Sequence, residues 1–86
     1  MFKVMIITPS GVLLDEDVFM CVLPGEEGAL GVLENHIPMV VALKKGRLYL
    51  YKTSSEILRQ FDIENGYAQI NKESCFVYTE SAESVA

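Results

Sequence analysis

The chain is poor in the side chains that most catalytic and metal sites require. It has one histidine, His36, and two cysteines, Cys21 and Cys75, among its 86 residues. A nucleophile and base pair would have to be built around His36, and neither cysteine stands in an electropositive sequence that favours a thiolate. A zinc site needs three or four Cys and His ligands at close spacing. We therefore predict a protein without catalytic residues, metal or cofactor.

Positive charge is also scarce. Seven Lys and Arg stand against twelve Asp and Glu, for a formal net charge of −5, and the basic residues are scattered along the chain. Nucleic-acid binding depends on a basic surface that neutralises phosphates. We predict that nucleic acid is not a partner.

Long apolar segments are lacking as well. No run approaches the roughly 18 apolar residues of a membrane-spanning helix. The opening segment 1–7 is short and interrupted by Lys3, unlike a secretory signal. We expect a cytoplasmic protein, or one in a similar compartment, with no direct membrane insertion; any membrane contact would pass through a partner.

The two cysteines both lie in apolar runs, where a reduced cysteine behaves as a small hydrophobe. Small secreted scaffolds held by disulfides usually carry four or more cysteines. We interpret Cys21 and Cys75 as core residues. Their spacing is also compatible with a single disulfide between them.

What the chain does have is a series of short β-branched and aromatic segments separated by Gly, Pro and Asn turns, a spacing typical of a sandwich or barrel. The predicted strands are 2–8, 12–15, 18–23, 29–33, 39–43, 47–52, 57–63, 67–71 and 74–79. We predict an all-β fold, a small antiparallel β-sandwich of about nine or ten short strands. The domain is expected over residues 1–80, followed by a frayed polar tail over 81–86 or the start of a helix.

Three of the predicted strands contain runs that are apolar on both faces, at 4–7, 18–23 and 39–43. A strand with one solvated face should alternate between apolar and polar residues. Either loops cover the second face, or a partner protein does, because exposed apolar patches usually mark interaction sites.

The glycine-rich segment Gly-Glu-Glu-Gly-Ala-Leu-Gly at 25–31 superficially resembles a phosphate-binding loop. It contains two carboxylates, lacks a following Lys-Ser or Lys-Thr, and precedes a strand rather than a helix. We interpret its glycines as backbone devices where the sheet turns a corner. Glu26 and Glu27 are interpreted as solvated rather than as a paired-carboxylate site.

Extended to residue 38, this segment resembles the epsilon subunit of F-type ATP synthase. The family pattern is Gly-x-x-Gly-x-Leu-Gly, then a small hydrophobic residue and His-x-Pro, and the chain has Gly25, Gly28, Leu30, His36 and Pro38 at matching positions. Agreement continues at 43–48 and at 64–66 and covers essentially residues 1–80. The chain departs from the pattern at positions 29, 34, 45 and 65, where it has Ala, Glu, Lys and Asn.

The resemblance implies a non-catalytic rotor subunit of the central stalk of a proton-translocating ATP synthase. Its partners would be the gamma subunit and the ring of membrane-embedded c subunits, at the cytoplasmic face of the bacterial inner membrane. The glycine-rich loop and His36 would lie near the ring, and Thr8, Met39, Val41 and Tyr49 on the side of gamma. The partner-binding residues that the resemblance implies are Glu27, Ala29, Leu30, His36, Pro38, Thr8, Met39, Val41 and Tyr49.

Family members usually continue into a carboxy-terminal helical hairpin that restrains ATP hydrolysis and in some members senses nucleotide. The present sequence is expected to lack it and to bind no ATP. The alternatives are a free-standing small β module that binds a peptide or small ligand, recognisable by an enclosed apolar cavity, and a fragment of an enzyme.

Overall fold

Residues 1–85 are described by the computed structural model, and they form ten β-strands. In chain order these are β1 Phe2–Thr8, β2 Gly11–Val18, β3 Met20–Gly25, β4 Gly28–Leu33, β5 Met39–Leu43, β6 Gly46–Tyr51, β7 Ile57–Ile63, β8 Gly66–Ile70, β9 Ser74–Thr79 and β10 Ala82–Ser84. No helix occurs within residues 1–85. The all-β prediction, with its nine or ten short strands, is confirmed.

The strands form two layers joined at one corner. Their hydrogen-bonded order is β10-β7-β6-β3-β5-β8-β9-β1-β2, with β4 on β3. β3 and β5 share only the pair of Gly25 with Leu43. We call β4-β3-β6-β7-β10 the first sheet and β5-β8-β9-β1-β2 the second sheet. Among the described strands every pair is antiparallel except β1 with β9, which is parallel.

The core lies between the sheets and follows from the two-residue period of a strand. In β1, for example, Phe2, Val4 and Ile6 are buried, whereas Lys3 is exposed. The core residues from the two sheets are Phe2, Val4, Ile6, Leu14, Val18, Cys21, Leu23, Val32, Leu43, Leu48, Leu50, Phe61, Ile63, Ala68, Ile70, Cys75 and Val77.

β2 is twice as long as the predicted strand 12–15, because it continues through its acidic end to Val18. Asp15, Glu16 and Asp17 continue the pairing with β1 as far as Val18. β2 pairs with β1 alone among the described strands, and an edge strand tolerates charged side chains that face solvent. The chain then bends at Phe19, so β3 begins two residues later than expected.

The carboxy-terminal segment also differs from the frayed tail expected from residue 81. Ala82–Ser84 form β10 and pair with β7, and the Ala82 side chain packs against the core. The buried Thr79 hydroxyl lies 3.0 Å from the Glu64 carbonyl and 3.1 Å from the Ser81 carbonyl, which fixes the turn before β10. These hydrogen bonds and this packing stabilise the short polar strand. Residue 86 lies outside the described residues.

Replacing Gly66 by alanine should destabilise the sheet strongly. Gly66 pairs with Thr79 of β9, and a Cβ at this position would overlap the Tyr78 carbonyl oxygen and lie 2.9 Å from the Thr79 Cα. Backbone cannot move away as a flexible side chain can. We expect Gly66→Ala to lower the free energy of unfolding by at least about 2 kcal/mol, measured by urea denaturation.

The matched control is Gly31→Ala in β4. The nearest atom to a Cβ there is the Met20 Sδ, at 4.0 Å. Its free energy of unfolding should stay within about 0.5 kcal/mol of that of the unmodified chain. Equal denaturation midpoints for the two variants would contradict the prediction.

The ion pair of Arg47 with Asp62 connects β6 with β7. Arg47 donates from Nε to Asp62 Oδ1 at 2.9 Å and from Nη2 to Oδ2 at 3.3 Å. The Arg47 hydrogen bond lowers the pKa of the Asp62 carboxyl. A depressed pKa stabilises the fold above the unfolded-state pKa of about 4, and this contribution is lost as pH falls through the folded-state pKa.

Arg47→Gln should therefore raise the pKa of the Asp62 carboxyl toward its ordinary value, as followed by carbon NMR during an acid titration. Arg59→Gln is the control, because Arg59 pairs with Glu16 at another place on the sandwich. An Asp62 pKa that responds equally to both variants would show that general charge, and not the Arg47 contact, sets it.

Candidate partner-binding surface

A groove opens beside the corner where the two sheets meet. It has a volume of about 460 Å³ and is lined by Gly25, Glu26, Glu27, Gly28, Ala29, Leu30, Met39, Val40, Val41 and Ala42. These residues belong to the turn between β3 and β4, the first half of β4, and β5. Within residues 1–85, β4 pairs only with β3, and β5 meets β3 at a single residue. The two strands therefore flank the groove without bonding to each other.

The glycines of the turn give the groove its shape. Gly25 pairs with both Gly28 and Leu43, and a Cβ on it would lie 2.7 Å from the Gly28 carbonyl oxygen. Gly28 has a φ of +130°, which residues with a side chain rarely adopt. The Glu26 amide donates to the Ala42 carbonyl at 3.0 Å and fixes the turn against β5. The prediction that these glycines are backbone devices at a corner agrees with this geometry.

The groove has an apolar floor and an acidic lip. Val40 is 67% exposed and Met39 42% exposed. Leu30 and Val41 are half-buried and pack against the core. Glu26 and Glu27 are exposed at the turn. Such a surface fits a partner with an apolar projection flanked by positive charge.

The connection from β4 to β5, residues 34–38, joins the two strands that flank the groove. The Asn35 amide donates to the Lys72 carbonyl at 2.8 Å, and Asn35 has a φ of +66°, which asparagine tolerates. The amino-terminal ammonium of Met1 lies 2.6 Å from the Glu34 carboxylate. These contacts hold the base of the connection.

The tip of this connection projects into solvent. The His36 Nδ1 lies 2.8 Å from the Ile37 carbonyl, and because a carbonyl only accepts, Nδ1 carries the proton in this contact. Ile37 is 78% exposed, and Pro38 is exposed beside it. Ile37 was missed in the sequence, although an apolar residue between His and Pro in a loop is a usable signal of a contact site.

The structure brings together most of the residues that the sequence singled out for partner binding. Glu27, Ala29, Leu30, Met39 and Val41 all line the groove. The connection that carries the two remaining motif residues, His36 and Pro38, runs directly into β5. The two residues that lie elsewhere are Thr8 and Tyr49.

Thr8 lies in a second surface depression, beside a pair of tyrosines. Its hydroxyl accepts a hydrogen bond from the Ser10 amide at 3.3 Å and serves the turn between β1 and β2. Tyr67 and Tyr78 stack next to it, with ring centroids 4.9 Å apart. Tyr49 is on the outer face of the first sheet, between Val22 and Gln60. The four residues expected on the side of gamma are thus spread over three parts of the surface.

Both sheets also carry apolar side chains on their outer faces. On the second sheet, Met5 lies beside Phe76 and Ile7 beside Tyr78, all of them half-buried. On the first sheet, Met20 and Val22 of β3 are half-buried next to tyrosines of β6. The runs that are apolar on both faces were the sequence signal for these surfaces.

The described residues contain no group of three or more His, Cys, Asp or Glu side chains arranged to bind a metal ion. Residues 1–85 also include no helix with the length and apolarity that crossing a bilayer requires.

Comparison with known proteins places this fold in a family. Residues 1–85 match the family model for the ATP synthase, Delta/Epsilon chain, beta-sandwich domain. The ATP synthase epsilon chain of Granulibacter bethesdensis is 38% identical over 81 residues, covering 94% of this chain and 59% of the relative. That of Rickettsia bellii is 37% identical over 84 residues, covering 96% of this chain and 78% of the relative. The chain thus spans between about three fifths and four fifths of these relatives.

Solved structures agree on the fold. A chain of the Euglena gracilis mitochondrial ATP synthase, solved as OSCP/F1/c-ring, superposes with a TM-score of 0.87 at 24% identity, over 96% of this chain and 52% of its own length. A chain from the central stalk and c-ring of the Tetrahymena thermophila mitochondrial ATP synthase gives a TM-score of 0.79 at 18% identity, over 95% and 65% of the two chains. The chain belongs to the family of ATP synthase delta/epsilon chain β-sandwich domains.

Proposed function

We propose that this chain acts as the β-sandwich part of an ATP synthase epsilon subunit, a non-catalytic component of the central stalk. It would bind the gamma subunit, contact the ring of c subunits, and couple rotation of the ring to ATP synthesis on other subunits. In a bacterium it would lie at the cytoplasmic face of the inner membrane, held there through the complex. The match of residues 1–85 to the epsilon-type family is the observation that carries the proposal.

The surface of the domain supports a role in assembly. The groove exposes Met39 and Val40 beside two carboxylates, and Ile37 projects from the neighbouring connection. Both outer sheet faces add half-buried apolar side chains. Apolar surface at separate places on one small domain suits a subunit that is held between partners.

The groove and the connection 34–38 offer two kinds of contact side by side. We assign the apolar floor, with Met39 and Val41, to gamma, together with Thr8 and Tyr49. We assign the acidic lip and the exposed tip, with Glu27, His36 and Pro38, to the ring, together with Ala29 and Leu30. An apolar floor supplies affinity through buried area, whereas an acidic lip selects partners by charge.

A rotor component has to transmit torque without deforming. Two sheets that share a closely packed core resist shear between their layers. Cross-strand ion pairs such as Arg47 with Asp62 add contacts along the surface. The sandwich therefore suits a rigid connection between gamma and the ring.

Met39→Asp should weaken binding to the cognate gamma subunit at least tenfold, because it places a charge on the apolar floor of the groove. Calorimetry would measure the dissociation constant, and the unmodified chain should bind with a negative heat-capacity change, the mark of buried apolar surface.

Leu13→Asp is the matched control for this experiment. Leu13 is 49% exposed, close to the 42% of Met39, but it lies on β2 outside the groove. Its affinity should stay within about twofold of the unmodified chain. If the two variants lose the same affinity, the groove is not the gamma site. If the folded chain binds no gamma at all, the better hypothesis is a free-standing β module that binds an extended peptide between β4 and β5.

Glu27→Gln should reduce association of the chain–gamma complex with detergent-solubilised c-ring, because it removes charge from the acidic lip. The loss should shrink as salt is added, since screening weakens contacts between exposed charges. Glu73→Gln, an exposed acid outside the groove, is the control. A loss that does not depend on salt would argue against an electrostatic contact.

A further inference from the structure

β4 has an unprotected edge on the first sheet. Among the described strands it pairs with β3 alone, so its other side has no strand neighbour. Its residues, Gly-Ala-Leu-Gly-Val-Leu, include no charge and no proline, and its pairing with β3 runs without a register shift. Proteins usually protect exposed edges with charges, prolines, bulges or short length, because an open edge accepts a further strand.

The strands at the other ends of the two sheets carry such protection. β2 has three acidic residues at 15–17, and its register with β1 shifts between Ile6 and Ile7. β10 is only three residues long. β5 is bonded to the turn after β3, where the Glu26 amide donates to the Ala42 carbonyl. Among these four strands, β4 is therefore the one that is open to a partner.

The backbone groups of β4 that point away from β3 follow from the neighbouring bonds. The Lys44 amide donates to the Pro24 carbonyl at 3.0 Å, on the side of β3 that faces β5. Pro24 thus points away from its partner Ala29, and paired residues in an antiparallel ladder bond to each other only at every second position. Ala29, Gly31 and Leu33 therefore direct their amides and carbonyls outward. We call these three the outward residues of β4.

The outward residues are accessible. All three are exposed, Leu33 by 47%. Apart from its chain neighbours, the only atom within 4 Å of a Cβ built on Gly31 is the Met20 Sδ, at 4.0 Å. Of the outward backbone groups, only the Leu33 carbonyl accepts a hydrogen bond within residues 1–85, from the His36 amide at 3.2 Å. Three amides and two carbonyls are thus free to bond to an added strand.

Acidic residues stand at both ends of this edge. Glu26 and Glu27 form the exposed turn before β4, and Glu34 follows the strand directly. The Glu34 carboxylate contacts the Met1 ammonium, but its side chain remains half-exposed. A second copy paired antiparallel along this edge would bring the turn of each copy beside Glu34 of the other, and like charges on paired strands are destabilising. A strand with a basic residue at each end would instead complement both carboxylate groups.

We propose that the free edge of β4 docks an extended segment of another protein, which adds to the first sheet as an antiparallel strand and carries Lys or Arg at both ends. The segment bonds through its backbone to the outward residues, and its basic ends meet Glu27 and Glu34. Its side chains on the core side meet Leu30, where the groove borders the first half of β4. The inference goes beyond the proposed function and does not depend on it.

The probe is the capped peptide Lys-Thr-Val-Thr-Val-Thr-Val-Lys, with one residue for each of positions 27–34. In the antiparallel register its Thr amides face the outward residues, and its Val side chains face the core. Hydrogen exchange of the backbone amides, followed by NMR on the unmodified chain, measures the pairing. At saturating peptide the outward amides should exchange at least about tenfold more slowly, whereas the Leu30 and Val32 amides, already bonded to β3, should keep their rates. No slowing at peptide concentrations up to about 5 mM overturns the proposal.

Two methylated peptides show whether the edge itself is bound. Methylation of the three Thr amides removes the donors that face β4 and should weaken binding at least about tenfold. Methylation of the three Val amides changes the opposite edge of the peptide and should leave the dissociation constant within about threefold. An equal loss from both would show that the peptide does not bind as an added strand, and would overturn the proposal.

A further peptide and a dilution series test the choice of occupant. Replacing both Lys of the probe by Glu should weaken binding, and the difference should shrink as salt is added. Equal affinity of the two peptides would overturn the assignment of basic ends. If the outward amides are already protected in the chain alone, and this protection is lost on dilution, a second copy occupies the edge and the proposal is wrong.

Discussion

Among the described strands, the two sheets are joined by strand pairing at one residue pair, Gly25 with Leu43. Gly25 of β3 bonds to β4 on one side and to Leu43 of β5 on the other, so it belongs to both sheets. The Glu26 amide and the Ala42 carbonyl bond beside it, as do the Lys44 amide and the Pro24 carbonyl. A side chain at Gly25 would collide with the Gly28 carbonyl. The closing of the core and the opening of the groove both depend on this backbone contact.

The strands could be predicted because their alternation is local. Inward and outward positions along β1, β6 and β9 follow directly from the order of residues. β10 could not be predicted in this way, since three small or polar residues carry no β signal; they form a strand only because the edge of β7 is available for pairing. Residues 16 and 17 of β2 could not be predicted for a related reason, because acidic residues are uncommon in strands except where the strand lies at an edge.

The groove could be predicted only in part, because its two sides come from strands that meet through the tertiary fold. The motif between Gly25 and Pro38 contains the residues on one side of the groove. The other side is formed by β5, which lies there because β3 and β5 pair at the corner between the two sheets. The alternation of apolar and polar residues along a strand predicts which side chains face the core. It does not predict which of the two sheets the strand belongs to. Tyr49 therefore ends on the outer face of the first sheet, away from Met39 and Val41, although all three lie within eleven positions of one another.

The parallel pair of β1 with β9 links almost the full length of the chain. β1 precedes the other described strands, and of its two neighbours in the second sheet β2 follows at once, whereas β9 is complete only when residue 79 has been added. Loop closure over such a distance slows folding, because its entropy is lost before the contacts form. On the ribosome, the backbone edge of β1 that pairs with β9 must therefore stay unpaired until nearly all of the domain has emerged.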